Sequence, residues 1–94
     1  MKESDFQHGL ICEIEDRFPG CIVTKAETFQ GMPDLLILYK DRWAMLECKK
    51  SKDAERQPNQ PYYVDLLNSM SFAAFIYPEN REEVLNAMAQ SLQS

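Results

Sequence analysis

Histidine occurs once in this chain, at His8, and cysteine three times, at Cys12, Cys21 and Cys48, with no C-x-x-C pair among them. Zinc ligand sets need such pairs, so a zinc site is not expected. A disulfide framework is not expected either, because the count is odd and the cysteines lie among apolar neighbours. Free thiols suit a reducing compartment. No stretch approaches the ~20 apolar residues of a bilayer-spanning helix, and the start of the chain carries no signal-peptide apolar segment, so a soluble, intracellular protein is expected. Internal repeats and low-complexity segments are absent too. Positive charge is also short, with a net charge of −5, whereas phosphate-binding surfaces ordinarily leave a basic footprint.

What is present is enough apolar sequence for one core. With 94 residues, 45% of them hydrophobic, residues 1–94 read as a single domain near the smallest size that folds without staples, leaving no room for a linker or second unit. Phe6, Leu10, Ile14 and Phe18 recur at every fourth position with Ile11 alongside, which predicts a helix from Glu3 to Phe18 that Pro19-Gly20 stops. Cys21 to Ala26 reads as a first strand and Glu27 to Met32 as a loop. Pro61 suits the first turn of a helix running to about Asn68 or Ser69, with Asn59 or Gln60 near its start and Tyr63, Leu66, Leu67 and Met70 as its apolar residues. Phe72 to Tyr77 reads as a last strand. Asn80 is expected to cap a final helix, with Glu83 completing a capping-box pattern and Val84, Leu85, Met88 and Leu92 forming its apolar face. Strands interspersed with helices at this size imply an α/β fold, a mixed sheet flanked by helices.

The chemistry is concentrated between these elements. Asp34 to Tyr39 and Trp43 to Lys49 are apolar runs of strand length, joined by the polar Lys40-Asp41-Arg42, and should pair as an antiparallel hairpin. The start of the first strand then lies opposite the end of the second, so Asp34 and Glu47 become neighbours. Alternation puts Glu47 and Lys49 on one face and Cys48 on the other, as a small core residue. Two carboxylates held together repel unless a cation sits between them. Mg²⁺ suits, since it takes oxygen ligands and accepts one or two protein carboxylates while water and phosphate complete its shell; the Cys48 backbone carbonyl offers a further oxygen. Such a metal polarises a phosphate and activates water, and Lys49 orients that water or stabilises transition-state charge, which points to phosphodiester hydrolysis.

Each half of the pattern has an ordinary explanation alone. Pro-Asp is a common turn dipeptide, and Glu-x-Lys on a strand edge is usually a weak, solvated ion pair. What selects the functional reading is the combination: the order, the hairpin between, the Gly31-Met32-Pro33 lead-in, and charges at the end of a buried strand, where they are costly without a partner.

Pro33-Asp34 followed by Glu47-Cys48-Lys49 resembles the PD-(D/E)XK nuclease superfamily. More narrowly, Gly31-Met32-Pro33-Asp34, the Asp41-Arg42 turn, Glu47-Cys48-Lys49-Lys50 and Gln60 resemble the virus-type replication-repair nuclease (VRR-NUC) domain, over Glu3 to about Tyr77. The resemblance implies a restriction-endonuclease-like αβββαβ core, here with an extra C-terminal helix. It also implies a Mg²⁺- or Mn²⁺-dependent DNA endonuclease acting as a homodimer on branched DNA such as four-way junctions, in a bacterial or phage-infected cell. A first-helix glutamate assists the metal in that family, directly or through water, and Glu3 matches its place; Glu13, flanked by Glu15 and Asp16 on an expected solvated face, is the fallback. The family's glutamine corresponds to Gln60, with Gln57 as a nearby competitor. Ser69-Met70-Ser71 departs from the pattern, since the family tends to place glycine before the last strand.

The charge distribution softens the acidic total. From Lys25 to Arg56 there are seven basic residues (Lys25, Lys40, Arg42, Lys49, Lys50, Lys52, Arg56) against six acidic ones (Glu27, Asp34, Asp41, Glu47, Asp53, Glu55), a local balance of +1. A polar Lys50–Asn59 stretch is the expected DNA-facing loop. Lys50, Lys52, Arg56 and Lys25 are the expected phosphate contacts, and no recognition helix rich in base-reading side chains is evident, which favours structure-selective cleavage. Tyr62 and Tyr63 are expected to pack, Trp43 to anchor a strand or a dimer contact, and His8 to be a partly buried helix residue. Two alternatives stay open: a flap-trimming or restriction-like nuclease with the same chemistry, and a non-catalytic protein-interaction module on the same fold.

Overall fold

The structure, a computed structural model, describes residues 2–26 and 28–94. Glu27, placed by the sequence at the start of a loop, lies outside the described residues. Among them the element order is α1 (Glu3–Arg17), β1 (Ile22–Lys25), β2 (Leu35–Tyr39), β3 (Arg42–Cys48), α2 (Gln60–Met70), β4 (Ala73–Ile76), a short 3₁₀ turn (Pro78–Asn80) and α3 (Arg81–Gln93). The strands form one sheet in the order β1-β2-β3-β4. The β1–β2 and β2–β3 pairs are antiparallel and β3–β4 is parallel, with α2 making the crossover that a parallel pair requires. The fold is therefore a mixed four-stranded sheet with three helices.

Strand alternation divides the sheet into two faces. Leu35, Ile37, Tyr39, Ala44, Leu46, Cys48 and Ile76 point to the larger core, where they meet Phe6, Leu10, Ile14 and Phe18 of α1 and Val84, Leu85, Met88 and Leu92 of α3. Each such side chain contributes roughly 1.5–3 kcal/mol when fully buried. The fourfold spacing of α1 thus does what its stripe implies. Met45, Ala73, Leu36, Trp43 and Phe75 line the opposite face beneath Val64 and Leu67 of α2. Cys48 is wholly buried in the larger core, as alternation requires.

Several local expectations are corrected. Arg42 belongs to β3 and pairs with Tyr39, so the hairpin turn is the two residues Lys40-Asp41, with Lys40 at φ 58. Two-residue hairpins need positive φ at a central position to match strand twist, and the sheet register imposes it here on a lysine. Asn80 precedes α3 but makes no side-chain cap. Its amide is used in the preceding turn instead, accepting from Tyr77 N (2.8 Å) and donating to Phe75 O (3.1 Å), so the expected box with Glu83 does not form. Glu13 is not solvated: it is half-buried between Arg17 (3.1 Å) and Arg81 (2.6 Å), pinning α1 to the start of α3. Cys12 is exposed on α1 rather than set among apolar neighbours, and His8 is exposed rather than partly buried. On α2, Leu66 and Met70 are exposed while Val64 takes the buried position.

Candidate active site

Continuing the β2–β3 register by one step beyond Leu35↔Leu46 sets Asp34 opposite Glu47, at the end of the hairpin remote from its turn. Both line one cavity of about 360 Å³, together with Ala26, Thr28, Phe29, Gln30, Met32 and Gln60. The geometry around Asp34 is fixed at both oxygens. Oδ1 accepts the Cys48 main-chain N–H at 3.0 Å, and Oδ2 accepts the Gln7 amide of α1 at 3.2 Å. The Asp34 carbonyl in turn accepts Ala26 N at 2.9 Å, which prolongs the β1–β2 ladder to this residue.

Glu47 is held from the other side. Its Oε2 accepts the Gln60 amide at 3.0 Å and lies 3.7 Å from Lys49 Nζ. Both members of this ion pair are buried, Glu47 to 5% exposure and Lys49 to 8%. The sheet explains why a lysine can stay there, because Lys49 N donates to Ile76 O (2.9 Å) and continues the β3–β4 pairing past Cys48. Gln60 also uses its other end, accepting Gln57 N at 2.9 Å, so one side chain braces the loop against the carboxylate. Gln57, the competitor, contributes only its main chain.

The electrostatics follow from this burial. The Glu47 carboxyl is pushed up to about 7, chiefly by desolvation and then by the Asp34 charge, with Lys49 opposing the rise. Asp34 is also raised, first by burial and then by the Glu3 charge, against the lowering effect of the Cys48 N–H. Burial pushes the Cys48 thiol up as well, so it is not a nucleophile at neutral pH. Glu3, exposed in the first turn of α1, influences both carboxyls through its charge but makes no hydrogen bond to either.

Thus Asp34, Glu47, Lys49 and Gln60 are brought together, and Glu3 stands within electrostatic reach. Lys50 and Lys52 are exposed on the segment after β3, and Lys25 is exposed at the site end of β1. Arg56 folds back, its guanidinium 3.9 Å from the ring centre of Phe75, the residue paired with Glu47 in β4. Gln7 was not among the expected site residues. Its signal was present, since it lies one helical turn after Glu3 and so on the same side of α1. The loop before Asp34 was also underread. Gly31 has φ +97, and a Cβ there would come within 2.6 Å of Asn59 Cβ and 2.9 Å of Tyr63 Cδ2, so glycine lets the loop press against the start of α2.

The donor set fits a hard divalent cation. Two carboxyl groups share a cavity in which burial first, and neighbouring negative charge second, disfavour ionisation, and a cation would relieve that cost. Among the described residues no group of three or more His, Cys, Asp or Glu side chains is gathered to hold a metal unaided. Two carboxylates alone would leave the rest of a hard cation's shell to water and substrate oxygens. Comparisons with protein-family models, with curated proteins and with solved structures found no match.

Proposed function

We propose that this protein is a metal-dependent endonuclease that hydrolyses phosphodiester bonds in DNA, on a restriction-endonuclease-like core of the VRR-NUC kind. The observation that carries the reading is the convergence of Asp34 and Glu47, from the ends of two paired strands, with Lys49 on the face of Glu47. Asp34, Glu47 and the Cys48 carbonyl would hold Mg²⁺ or Mn²⁺, with Glu3 assisting directly or through water. When bound, the ion would polarise the scissile phosphate and lower the pKa of the attacking water.

The remaining work belongs to the chain. Lys49, charged and 3.7 Å from Glu47, orients the attacking water and offsets charge building on the phosphate. Gln60 and Gln7 keep the two carboxylates aimed into the same cavity. Lys50, Lys52 and Lys25 meet flanking phosphates, while Arg56, stacked on Phe75, presents its guanidinium edge beside the site. Phosphate contacts without base-reading side chains favour selection by DNA structure, with branched DNA such as four-way junctions as the preferred substrate.

A homodimer is part of the proposal. Leu66 and Met70 lie one turn apart on the outer side of α2, 37% and 63% exposed, and the cross-strand pair Ile22 and Leu38 is exposed on the same sheet face. Ile22 and Leu38 lie toward the turn of the hairpin and Met70 ends α2, the opposite ends of those elements from Asp34 and Gln60, so copies joined there would leave both sites open. Among the described residues no helix is long and apolar enough to cross a membrane, and the proposed setting is the cytoplasm of a bacterial or phage-infected cell.

The test is cleavage of junction, flap, nicked and linear DNA with Mg²⁺, beside Lys49→Ala and Asp34→Ala. Turnover that needs the metal and falls at least ~100-fold in Lys49→Ala supports the reading. Calorimetric Mg²⁺ binding that is absent, or indifferent to Asp34→Ala, would instead favour a non-catalytic interaction module. A preference for flaps or linear duplex over junctions would reassign the substrate and leave the chemistry.

A further inference from the structure

We infer that the cavity beside the carboxylates holds an unpaired nucleobase, stacked on Phe29, next to the scissile phosphate. This rests on the proposed nuclease reading and names what distinguishes its substrate. Phe29 is a wall of the cavity that contains Asp34, Glu47 and Gln60, yet 52% of its surface is exposed. Half of the ring's apolar surface therefore stays open beside the two carboxylates, available for burial against a ligand.

The ring is also positioned. It meets Tyr63 of α2 edge to face, with centroids 4.9 Å apart at 64°, and Tyr63 meets Tyr62 in the same way at 5.0 Å. Gly31 holds the loop against Asn59 and Tyr63, and Pro33 behind it is buried, so the chain that follows Phe29 is anchored. Among the described residues the cavity lining carries no charge aside from Asp34 and Glu47, with Thr28, Gln30 and Gln60 as its other polar side chains. Among the described residues no cation lines it, so a phosphate finds no partner there, whereas a neutral planar group finds a ring to stack on and hydroxyl and amide groups for its edge. The cavity volume of about 360 Å³ lies in the ordinary range for small-molecule sites.

A base inside an intact duplex has both faces stacked and cannot enter. The strand taken is therefore one with an extrahelical or single-stranded nucleotide beside the cleaved bond, as occurs at a junction branch point, a bulge or a flap base. Stacking on one exposed aromatic ring also tolerates every base, so it selects structure without selecting sequence.

The experiment measures binding with Ca²⁺ in place of Mg²⁺, with the oligonucleotide checked to be uncut. Fluorescence anisotropy compares a duplex carrying one unpaired thymidine, the same duplex with an abasic unit there, and a flap with and without its first base. The wild-type protein, Phe29→Leu and Phe29→Trp are each titrated. Removing the base is expected to weaken wild-type binding by roughly 5- to 150-fold, the span of one lost base–aromatic contact. Phe29→Leu should bind base and abasic forms alike, and Phe29→Trp should restore the difference. Equal wild-type affinity for base and abasic forms overturns the inference, as does a base preference that Phe29→Leu leaves intact. Absence of binding to every unpaired substrate overturns it too. Cleavage is scored separately, so a stacked base without Mg²⁺-dependent cutting would remove the hydrolase reading alone, and cutting without base dependence would remove only this one.

Discussion

Ionising Glu47 should cost the fold measurably, and Glu47→Gln should abolish that cost. The group titrates at about 7 instead of 4.5, which at about 1.4 kcal/mol per tenfold change in equilibrium corresponds to roughly 3 kcal/mol. With 5% exposure there is little solvent to screen it. Below pH 4.5 the carboxyl is protonated in both states. As pH rises from about 4.5 to 7 the unfolded chain releases its proton and the folded one keeps it, so stability falls across this window and the loss is complete above it. For a domain of this size the difference in Tm is on the order of 10–20 °C. Thermal unfolding without divalent metal, from pH 4 to pH 8, compares the wild type with Glu47→Gln. The variant leaves Lys49 without its partner at every pH, so the slopes are compared rather than the absolute values. A wild-type slope no steeper than that of Glu47→Gln refutes the burial argument. Mg²⁺ should raise the wild-type Tm at pH 8 more than at pH 5, because binding competes with protonation.

Gly31→Ala should destabilise by about 1–3 kcal/mol in urea unfolding, because φ +97 and a 2.6 Å approach to Asn59 Cβ leave no room for a methyl group. An unchanged midpoint would refute the close approach. Asn80→Ala strands Tyr77 N and Phe75 O and should cost about 1–3 kcal/mol, whereas Glu83→Gln should be neutral, since no capping box uses its charge. Gln60→Ala should reduce turnover more than Gln57→Ala, whose side chain makes no contact with Glu47. Met70→Glu with Leu66→Glu should convert a dimer to monomer by sedimentation without changing Mg²⁺ binding.

The hairpin was legible because period-two alternation and a short polar turn fix a register without any tertiary information, and that register alone makes Asp34 and Glu47 neighbours. Lys49 and Cys48 followed to opposite faces by the same parity. α1 was legible from its fourfold stripe. The apolar residues of α2 were less so, because Leu66 and Met70 carry the same hydrophobic signal as Leu67, and only the width of the sheet beneath decides which are covered. Glu13 and Asn80 were misread as well. The acidic helix face of Glu13 is overridden by Arg81, 68 residues away and invisible in a local window, whereas the cap-like Asn-x-x-Glu loses to an equally local competitor, the Tyr77–Asn80 turn. Gln7 and Phe29 matter only through what the fold sets beside them.

The main clasp on Asp34 is the backbone amide of residue 48, with its side chain a lesser influence. Nineteen of the common amino acids carry that donor and proline alone lacks it. The middle position of Glu47-Cys48-Lys49 is therefore chemically permissive toward the site while sterically strict toward the interior it fills. Alanine, serine or valine there should alter packing and leave the aspartate's orientation intact; proline would release it.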